Sequence, residues 1–288
     1  MGEQLAWGLI MENGEPQFKN EPLVHVAADS RVHLTLLGNL KQKGAHLYFI
    51  VTALLLGVRW QILILTGLKK HDPSKERVRL GLGSLKYITL LESWGLIRTE
   101  FVGFDDASSW KGRVIAPNHP SMIDAILIMS RVMQTDCVIN AKLLANPLTV
   151  GAARLCNFIL NDSTLGMIKT CQTRLAEGAN ILIFPEGTRT RTLPLGRFYH
   201  SYALAAIRAG APIQTVFIEC DSNYFGSEFS FIKPTRSKVP LLFKISAGKV
   251  FHTTKDLSPR ELSSEIENYF RMNLMSHGVG VSRATDTK

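Results

Sequence analysis

Two ionisable residues lie five positions apart where a short apolar run gives way to a polar turn. The stretch is VIAPNHPSMID, residues 114–124, and the pair is His119 and Asp124. A carboxylate beside an imidazole can accept the proton of one ring nitrogen, and it favours the imidazolium that forms when the other nitrogen takes a proton. The chain has no G-x-S-x-G elbow, so the pair lacks a serine nucleophile of that kind. The spacing therefore predicts a general base that deprotonates a hydroxyl supplied by a substrate.

An isolated pair with this spacing also has a simpler interpretation. Asp124 can favour the N-terminus of a helix through the helix dipole, while His119 is a surface residue. A second stretch, FPEGTRTR at residues 184–191, favours the catalytic interpretation. It follows an apolar run and combines a glycine and a hydroxyl with two guanidiniums, which suit an oxyanion such as phosphate. The alternative for this stretch is a charged surface turn after a core strand.

Together, NHPSMID and FPEGTR resemble the glycerophospholipid acyltransferase family, whose type member is 1-acyl-glycerol-3-phosphate acyltransferase. The family's first block, N-H-x4-D, and its third, F-P-E-G-T-R, both occur here unbroken and in order, with His119 and Phe184 65 residues apart. The resemblance covers about residues 85–250. It implies that a fatty acyl group moves from a thioester, on coenzyme A or acyl carrier protein, to the hydroxyl of a lysophospholipid. It also implies that His119 is the general base and Asp124 its partner.

The third block implies an acceptor-binding loop. Its candidate residues in this chain are Glu186, Gly187, Thr188, Arg189 and Arg191. The family's fourth block, a proline in an apolar strand, resembles Ala211-Pro212-Ile213. Because a thioester is already activated, we expect neither a metal nor a cofactor, and the acyl-CoA or acyl carrier protein acts as co-substrate.

The second block departs from the family pattern. The family has an arginine thought to contact the acceptor phosphate, whereas the run CNFILND places Asn161 and Asp162 at that point. An acid there repels a phosphate instead of pairing with it. Lys142 and Arg154 lie upstream and are the candidates to replace the arginine. The departure keeps open a second acceptor class, a non-phosphate lipid such as an amino-acid lipid or another hydroxylated headgroup.

From residue 98 onward, apolar runs of strand length alternate with stretches of helical spacing. The strand-like runs are residues 98–104, 113–116, 136–140, 157–161, 180–184, 212–219 and 241–246. This alternation predicts an α/β fold with a largely parallel sheet flanked by helices. Ligands of such sheets bind beyond the carboxyl ends of the strands, in the loops that lead into helices. Both blocks are predicted to lie in loops of this kind.

The N-terminal part contains a hydrophobic segment, LYFIVTALLLGVRWQILILTGL at residues 47–68. As a helix it would be about 33 Å long, enough to cross a bilayer. Arg59 near its middle would cost about 3 kcal/mol at the bilayer midplane, and lysines flank both ends, whereas a single span has its positive flank on one side. We therefore predict two shorter helices that bend near Gly57–Arg59 and lie in one leaflet. A buried core helix of a soluble protein is the alternative.

The predicted organisation has three parts. Residues 1–72 form an N-terminal region with the membrane-associating segment, residues 73–275 form the α/β acyltransferase domain, and residues 276–288 form a flexible tail. Asp72 and Pro73 are suited to the N-cap and first turn of the domain's first helix. We expect the protein on the cytoplasmic face of a membrane, the inner membrane of a bacterium.

The charge balance is basic, since 33 Lys and Arg outnumber 24 Asp and Glu to give a formal net charge of +9. This excess suits an anionic bilayer, an anionic thioester carrier or a nucleic acid. The chain lacks RNA-binding blocks, zinc-ligand spacing and basic–aromatic interleaving, which disfavours a nucleic-acid-binding protein. The predicted partners are therefore the lipid bilayer, the acyl carrier and the lysolipid acceptor. The four cysteines show no paired spacing and read as reduced core residues.

Overall fold

The computed structural model of the chain describes residues 36–66, 72–192, 194–220 and 238–276. Among the first 35 residues it describes only four short strands, β1 (Gln4–Leu5), β2 (Leu9–Glu12), β3 (Glu15–Phe18) and β4 (Val32–His33). Strands β1–β3 form an antiparallel sheet. The predicted flexible tail, residues 276–288, lies outside the described residues except for Ser276.

A seven-stranded sheet organises the chain from residue 97 onward. Its strands are β5 (Ile97–Val102), β6 (Val114–Pro117), β7 (Thr135–Ile139), β8 (Ile159–Leu160), β9 (Asn180–Leu182), β10 (Ile213–Cys220) and β12 (Leu241–Phe251). Strand β11 (Lys238–Val239) does not belong to this sheet and pairs with β4. The spatial order of the seven strands is β5-β12-β10-β6-β9-β7-β8. Within this sheet only β10 and β12 pair antiparallel. The predicted α/β fold with a largely parallel sheet is confirmed.

Helices precede the sheet and alternate with its strands. They are α1 (Leu36–Leu65), α2 (Pro73–Ser93), α3 (Asp124–Met129), α4 (Pro147–Leu155), α5 (Thr164–Ala176), α6 (Ser201–Ala209) and α7 (Pro259–Ser276). The side chain of Asp72 accepts the backbone N–H of Ser74 at 3.0 Å, which confirms the predicted start of α2. Gly210 ends α6 at φ +64°, a conformation that favours glycine.

Both faces of the sheet are buried. Successive residues of β6 alternate between two apolar clusters, with Ile115 in one and Val114 and Ala116 in the other. The first cluster includes side chains of α2 and α3, and the second includes side chains of α5, α6 and α7. A strand covered on both faces reads as a continuous apolar run, which is why VIAP is apolar throughout. The loop that follows β6 therefore starts from a fixed point in the core.

Helix α1 is continuous, so the predicted bend near Gly57–Arg59 is wrong. Arg59 donates hydrogen bonds to both carboxylate oxygens of Glu76 on α2, at 2.7 and 2.6 Å. On α4, Gly151 comes so close to the backbone of Leu56 and Gly57 that a methyl group added at Gly151 would collide with α1. The arginine that seemed to interrupt the helix instead attaches it to the domain. Residues 67 and 68 of the predicted segment lie outside the described residues.

Helix α1 is also a candidate for membrane association. Residues Gly38–Leu65 are long and apolar enough to cross a membrane. The most apolar 18-residue window of this stretch has a mean hydropathy of 1.9, and only 6% of the window is buried. The exposed apolar side chains include Leu47, Val51, Leu55, Val58 and Ile62. Their spacing of three or four residues places them along one face of the helix. Because so little of it is buried, the helix is not the core helix of the alternative interpretation.

Candidate active site

The sheet order brings the two blocks to one edge. Strand β6 pairs in parallel with β9 on one side and with β10 on the other. Parallel neighbours end at the same edge of a sheet, so the loop after β6 and the loop after β9 meet there. We call residues 118–123 the base loop and residues 183–192 the arginine loop. The structure thus places both blocks where the alternation of strands and helices predicted them.

The His–Asp pair predicted from spacing is formed. Nδ1 of His119 lies 2.8 Å from Oδ2 of Asp124, the first residue of α3. Asp124 is fully buried. Its Oδ2 also accepts the backbone N–H of Ser121 at 2.8 Å, and its Oδ1 accepts the Ser121 hydroxyl. Three donors therefore fix the carboxylate against the imidazole ring.

The imidazole is held from further directions. The ring of His119 stacks on Phe184, the first residue of the third block, with 3.8 Å between centroids and 18° between planes. Asn118, which is buried, bonds the main-chain N–H and C=O of Ile218 on β10 at 2.7 and 2.9 Å. Because Nδ1 is engaged by Asp124, Nε2 is the ring nitrogen left for proton transfer. The His119 side chain is 19% exposed, so a substrate can reach it.

The arginine loop divides into an inward and an outward part. Glu186 is 4% exposed and accepts three hydrogen bonds from protein groups. Gly187 adopts φ +66°, and its N–H donates to the C=O of Phe184 at 3.0 Å. Thr188 and Arg191 are exposed, and Arg189 is half-buried. The exposed part of this loop therefore includes Thr188 and Arg191, whereas Glu186 is enclosed.

The second-block residues lie at the same edge, further along the sheet. Strands β7 and β8 continue the parallel order beyond β9. Asn161 follows β8, and its N–H donates to the C=O of Ile139 at 2.8 Å. Because strands are about 4.8 Å apart, β8 lies roughly 14 Å to the side of β6. Lys142, in the 3-10 turn after β7, and Arg154, in the last turn of α4, are both exposed, as is Asn161.

The proline compared with the fourth block does not reach the site. Pro212 precedes β10, and its C=O accepts the N–H of Val114, the first residue of β6, at 3.0 Å. It therefore lies at the amino ends of these strands, at the opposite edge of the sheet from His119. Its contact is structural, since it continues the pairing of β10 with β6.

The cysteines lie in the core, as predicted. None of the four forms a disulfide and all are buried, namely Cys137, Cys156, Cys171 and Cys220. Burial raises the pKa of Cys137, Cys156 and Cys171 to about 12, so these thiols are protonated at neutral pH. Within the described ranges no group of three or more His, Cys, Asp or Glu could hold a metal ion. The expectation that transfer needs neither metal nor cofactor rests on thioester chemistry and stays a prediction.

Two contacts of the site were not predicted from the sequence. Ser121 binds Asp124 with both its N–H and its hydroxyl, and Phe184 stacks on His119. The sequence indicates the first contact, because Ser121 and Asp124 have the S-x-x-D spacing of a capping box. No local sequence pattern indicates the second contact, because it depends on β6 and β9 being neighbours in the sheet.

A His–Asp pair beside an arginine-containing loop, at the carboxyl edge of a largely parallel sheet, is the arrangement expected of a group-transfer site. Residues 98–219 match the family model described as Acyltransferase. The structure also resembles the crystal structure of the 1-acyl-sn-glycerophosphate (LPA) acyltransferase PlsC from Thermotoga maritima, with 19% identity and a TM-score of 0.59 over 83% of this chain and 96% of that chain. At that identity the likeness establishes the fold. The family match over residues 98–219 supports the acyltransferase family and the enzyme class predicted from the two blocks.

Proposed function

We propose that the protein transfers a fatty acyl group from acyl-CoA or acyl carrier protein to the hydroxyl of a lysophospholipid such as 1-acyl-glycerol-3-phosphate. The observation that carries the proposal is the 2.8 Å contact between Nδ1 of His119 and Oδ2 of Asp124, inside a domain that matches the acyltransferase family. The Thermotoga maritima protein of the same fold is described as an LPA acyltransferase, which supports this acceptor class.

The chemistry follows from the free ring nitrogen. Nε2 of His119 removes the proton of the acceptor hydroxyl, and the oxygen attacks the thioester carbonyl carbon. The tetrahedral intermediate expels the carrier's thiolate, which is then protonated by the imidazolium. The products are an ester and the free thiol of the carrier. Asp124 keeps the proton on Nδ1 and stabilises the imidazolium.

The arginine loop is suited to the acceptor's phosphate. Arg189 and Arg191 follow Gly187 at the edge where His119 presents its ring. A guanidinium offers paired N–H donors to two oxygens of a phosphate. A phosphate held by these side chains would bring the glycerol hydroxyl toward His119. The loop therefore supports a phosphate-bearing acceptor in spite of the altered second block.

A second acceptor class is favoured by one observation. Asn161 and Asp162 occupy the edge beyond β8 and are exposed, and neither carries the positive charge expected there. Lys142 is exposed in the turn after the neighbouring strand β7 and is the candidate to compensate. If it does not, the enzyme acylates a hydroxylated lipid whose headgroup is not a bare phosphate monoester.

Helix α1 supplies the proposed membrane contact. Its exposed apolar face suits the hydrocarbon of one leaflet, while the close approach of Gly151 holds the helix against α4 and Arg59 holds it to Glu76 of α2. A helix that crossed the bilayer would draw α4, with its exposed Arg154, toward the hydrocarbon core, where a charge costs about 3 kcal/mol. We therefore propose that α1 lies along the cytoplasmic surface of the membrane.

The test is an acceptor panel with two donors. Purified wild-type protein and His119→Ala are incubated with acyl-CoA or acyl carrier protein and a series of lysolipids with and without a phosphate monoester. Thiol release is measured with a colorimetric thiol reagent, and the ester product is identified by mass spectrometry. We expect acceptor-dependent thiol release by the wild type and about 10²–10⁴-fold less by His119→Ala. Equal rates for the two proteins, or no ester with any acceptor, would refute the proposal.

A further inference from the structure

Glu186 is the most enclosed polar side chain of the arginine loop. Its Oε1 accepts the backbone N–H of His119 at 3.0 Å and the hydroxyl of Thr190 at 2.7 Å. Its Oε2 accepts the backbone N–H of Gly196 at 2.9 Å. Both oxygens are thus engaged by protein donors, and the side chain is only 4% exposed. A ligand would have to displace these donors to reach the carboxylate.

The arginine loop also holds the other side of the histidine. The C=O of His119 accepts the backbone N–H of Thr190 at 2.7 Å, and the ring stacks on Phe184. The N–H, the C=O and one ring face of His119 are therefore all set by residues of this loop. Asp124, the first residue of α3 after the base loop, fixes Nδ1. The position of Nε2 follows from these contacts together, and Glu186 supplies the one at the N–H of His119.

The surroundings of Glu186 are shaped for its carboxylate. A methyl group added at Gly196 would lie 2.5 Å from Oε2, which is closer than side-chain carbons approach other atoms. Only glycine at that position lets the backbone reach the carboxylate. The charge of Glu186 would also repel the phosphate of an acceptor. Enclosure, full hydrogen bonding and charge all disfavour the acceptor-binding role that the family resemblance implies for this residue.

We propose that Glu186 is a positioning residue for the general base and not a ligand of the acceptor. Its carboxylate ties the arginine loop to the backbone of His119 and so sets the distance between Nε2 and the acceptor hydroxyl. Arg189, which follows in the same loop, binds the acceptor. The proposal rests on the proposed function, because it concerns the same reaction.

The proposal separates two kinetic constants. A displacement of about 1 Å at a catalytic group costs roughly 10²-fold in rate, so Glu186→Ala should lower kcat by about 10- to 100-fold and leave the acceptor KM within about twofold of wild type. Arg189→Ala should do the reverse and raise the acceptor KM. Loss of active enzyme would also lower the apparent kcat at constant KM, so kcat is expressed per folded enzyme.

A second variant covers the case in which Glu186→Ala does not fold. Gly196→Ala keeps every catalytic side chain but forces the carboxylate to move, and we expect its kcat to fall by about tenfold. Gly83→Ala is the matched control, because a methyl group there meets nothing within 4 Å. It should have wild-type kinetics. Circular dichroism and thermal unfolding establish that each variant is folded.

The outcomes distinguish this inference from the proposed function. If His119→Ala retains turnover, the proposed function fails. If His119→Ala is inactive but folded Glu186→Ala raises the acceptor KM by about tenfold or more, as a lost charge-assisted bond would, the function stands and Glu186 is an acceptor ligand. Wild-type kcat in both Glu186→Ala and Gly196→Ala would also overturn the positioning role. Loss of kcat at constant KM in the folded variants supports it.

Discussion

Replacing Asp124 with asparagine tests the base most directly, because it removes a charge and almost no volume. The carboxylate is fully buried and accepts three hydrogen bonds, one from His119 and two from Ser121. An amide has one oxygen and one NH2 group, so its NH2 group must replace one of the two carboxylate oxygens, each of which faces a donor. With the oxygen toward His119 the geometry survives without the charge. With the NH2 toward His119 the ring is forced into the wrong tautomer.

The size of the effect follows from these two arrangements. A hydrogen bond to a charged group is worth about 1.5–3 kcal/mol, which corresponds to about 10- to 100-fold in rate. Exchange of the tautomer adds to this, because Nε2 then carries a proton and cannot act as a base. We therefore expect kcat of Asp124→Asn to fall by roughly 10²–10⁴-fold, nearly as much as for His119→Ala.

The assay is the initial rate of thiol release with a saturating acceptor, for wild type, Asp124→Asn and Ser121→Ala. The serine variant is the control, since it keeps the carboxylate and loses one hydroxyl bond, and we expect a loss below about tenfold. Folding is checked by thermal unfolding. If Asp124→Asn turns over within about threefold of wild type while His119→Ala is inactive, the carboxylate is not needed to orient or stabilise the imidazole, and the reasoning fails.

Four further predictions concern the acceptor, the membrane and the core. Arg189→Ala should raise the acceptor KM by about 10- to 100-fold and the donor KM less, and the reverse order would show that Arg189 faces the thioester carrier. Asn161→Arg should improve use of lysophosphatidate, whereas damage would mean that another cation, Arg154 or Lys142, already fills this role. Deleting residues 47–68 should move the protein to the soluble fraction, and tags at residue 20 and at the C-terminus should be found on one side of the membrane; tags on opposite sides would establish a span. At pH 8, far below the pKa of about 12 that burial gives Cys137, Cys156 and Cys171, a thiol reagent should label the folded protein slowly and all four cysteines after unfolding; fast labelling of the folded protein would contradict their burial.

The strands were predictable because local sequence specifies them. Each strand of the seven-stranded sheet overlaps one of the predicted runs, since a strand buried on both faces needs an apolar run and turn residues bound it. The length of β12 was not predicted. It extends to Phe251 by passing through Gly248, whose lack of a side chain admits Thr215, Phe217 and Tyr269. That fit depends on β10 and α7, which lie elsewhere in the chain.

The continuity of α1 was not predictable from its own sequence. An arginine in an apolar helix reads as an interruption when its partner is unknown, and the partner of Arg59 is Glu76 on the next helix. Gly57 likewise reads as a weak point, although the helix continues through it and its backbone lies against Gly151 of α4. The arginine, which is unfavourable locally, is explained by its tertiary contact.

The spacing inside each block follows from the register between β6 and β9. Ile115 lies opposite Leu182 in these parallel strands. Continuing that register by four residues brings His119 level with Glu186, and the hydrogen bond between the N–H of His119 and Oε1 of Glu186 is observed there. One residue inserted between Ile115 and His119 would advance the histidine by about 3.3 Å and turn it to the other face of the strand. It would then lose Phe184 and Glu186 together. The number of residues between each strand and the site residues that follow it is therefore fixed, because both blocks start from the same pair of strands. The 65 positions from His119 to Phe184 need only return the chain to the same edge of the sheet.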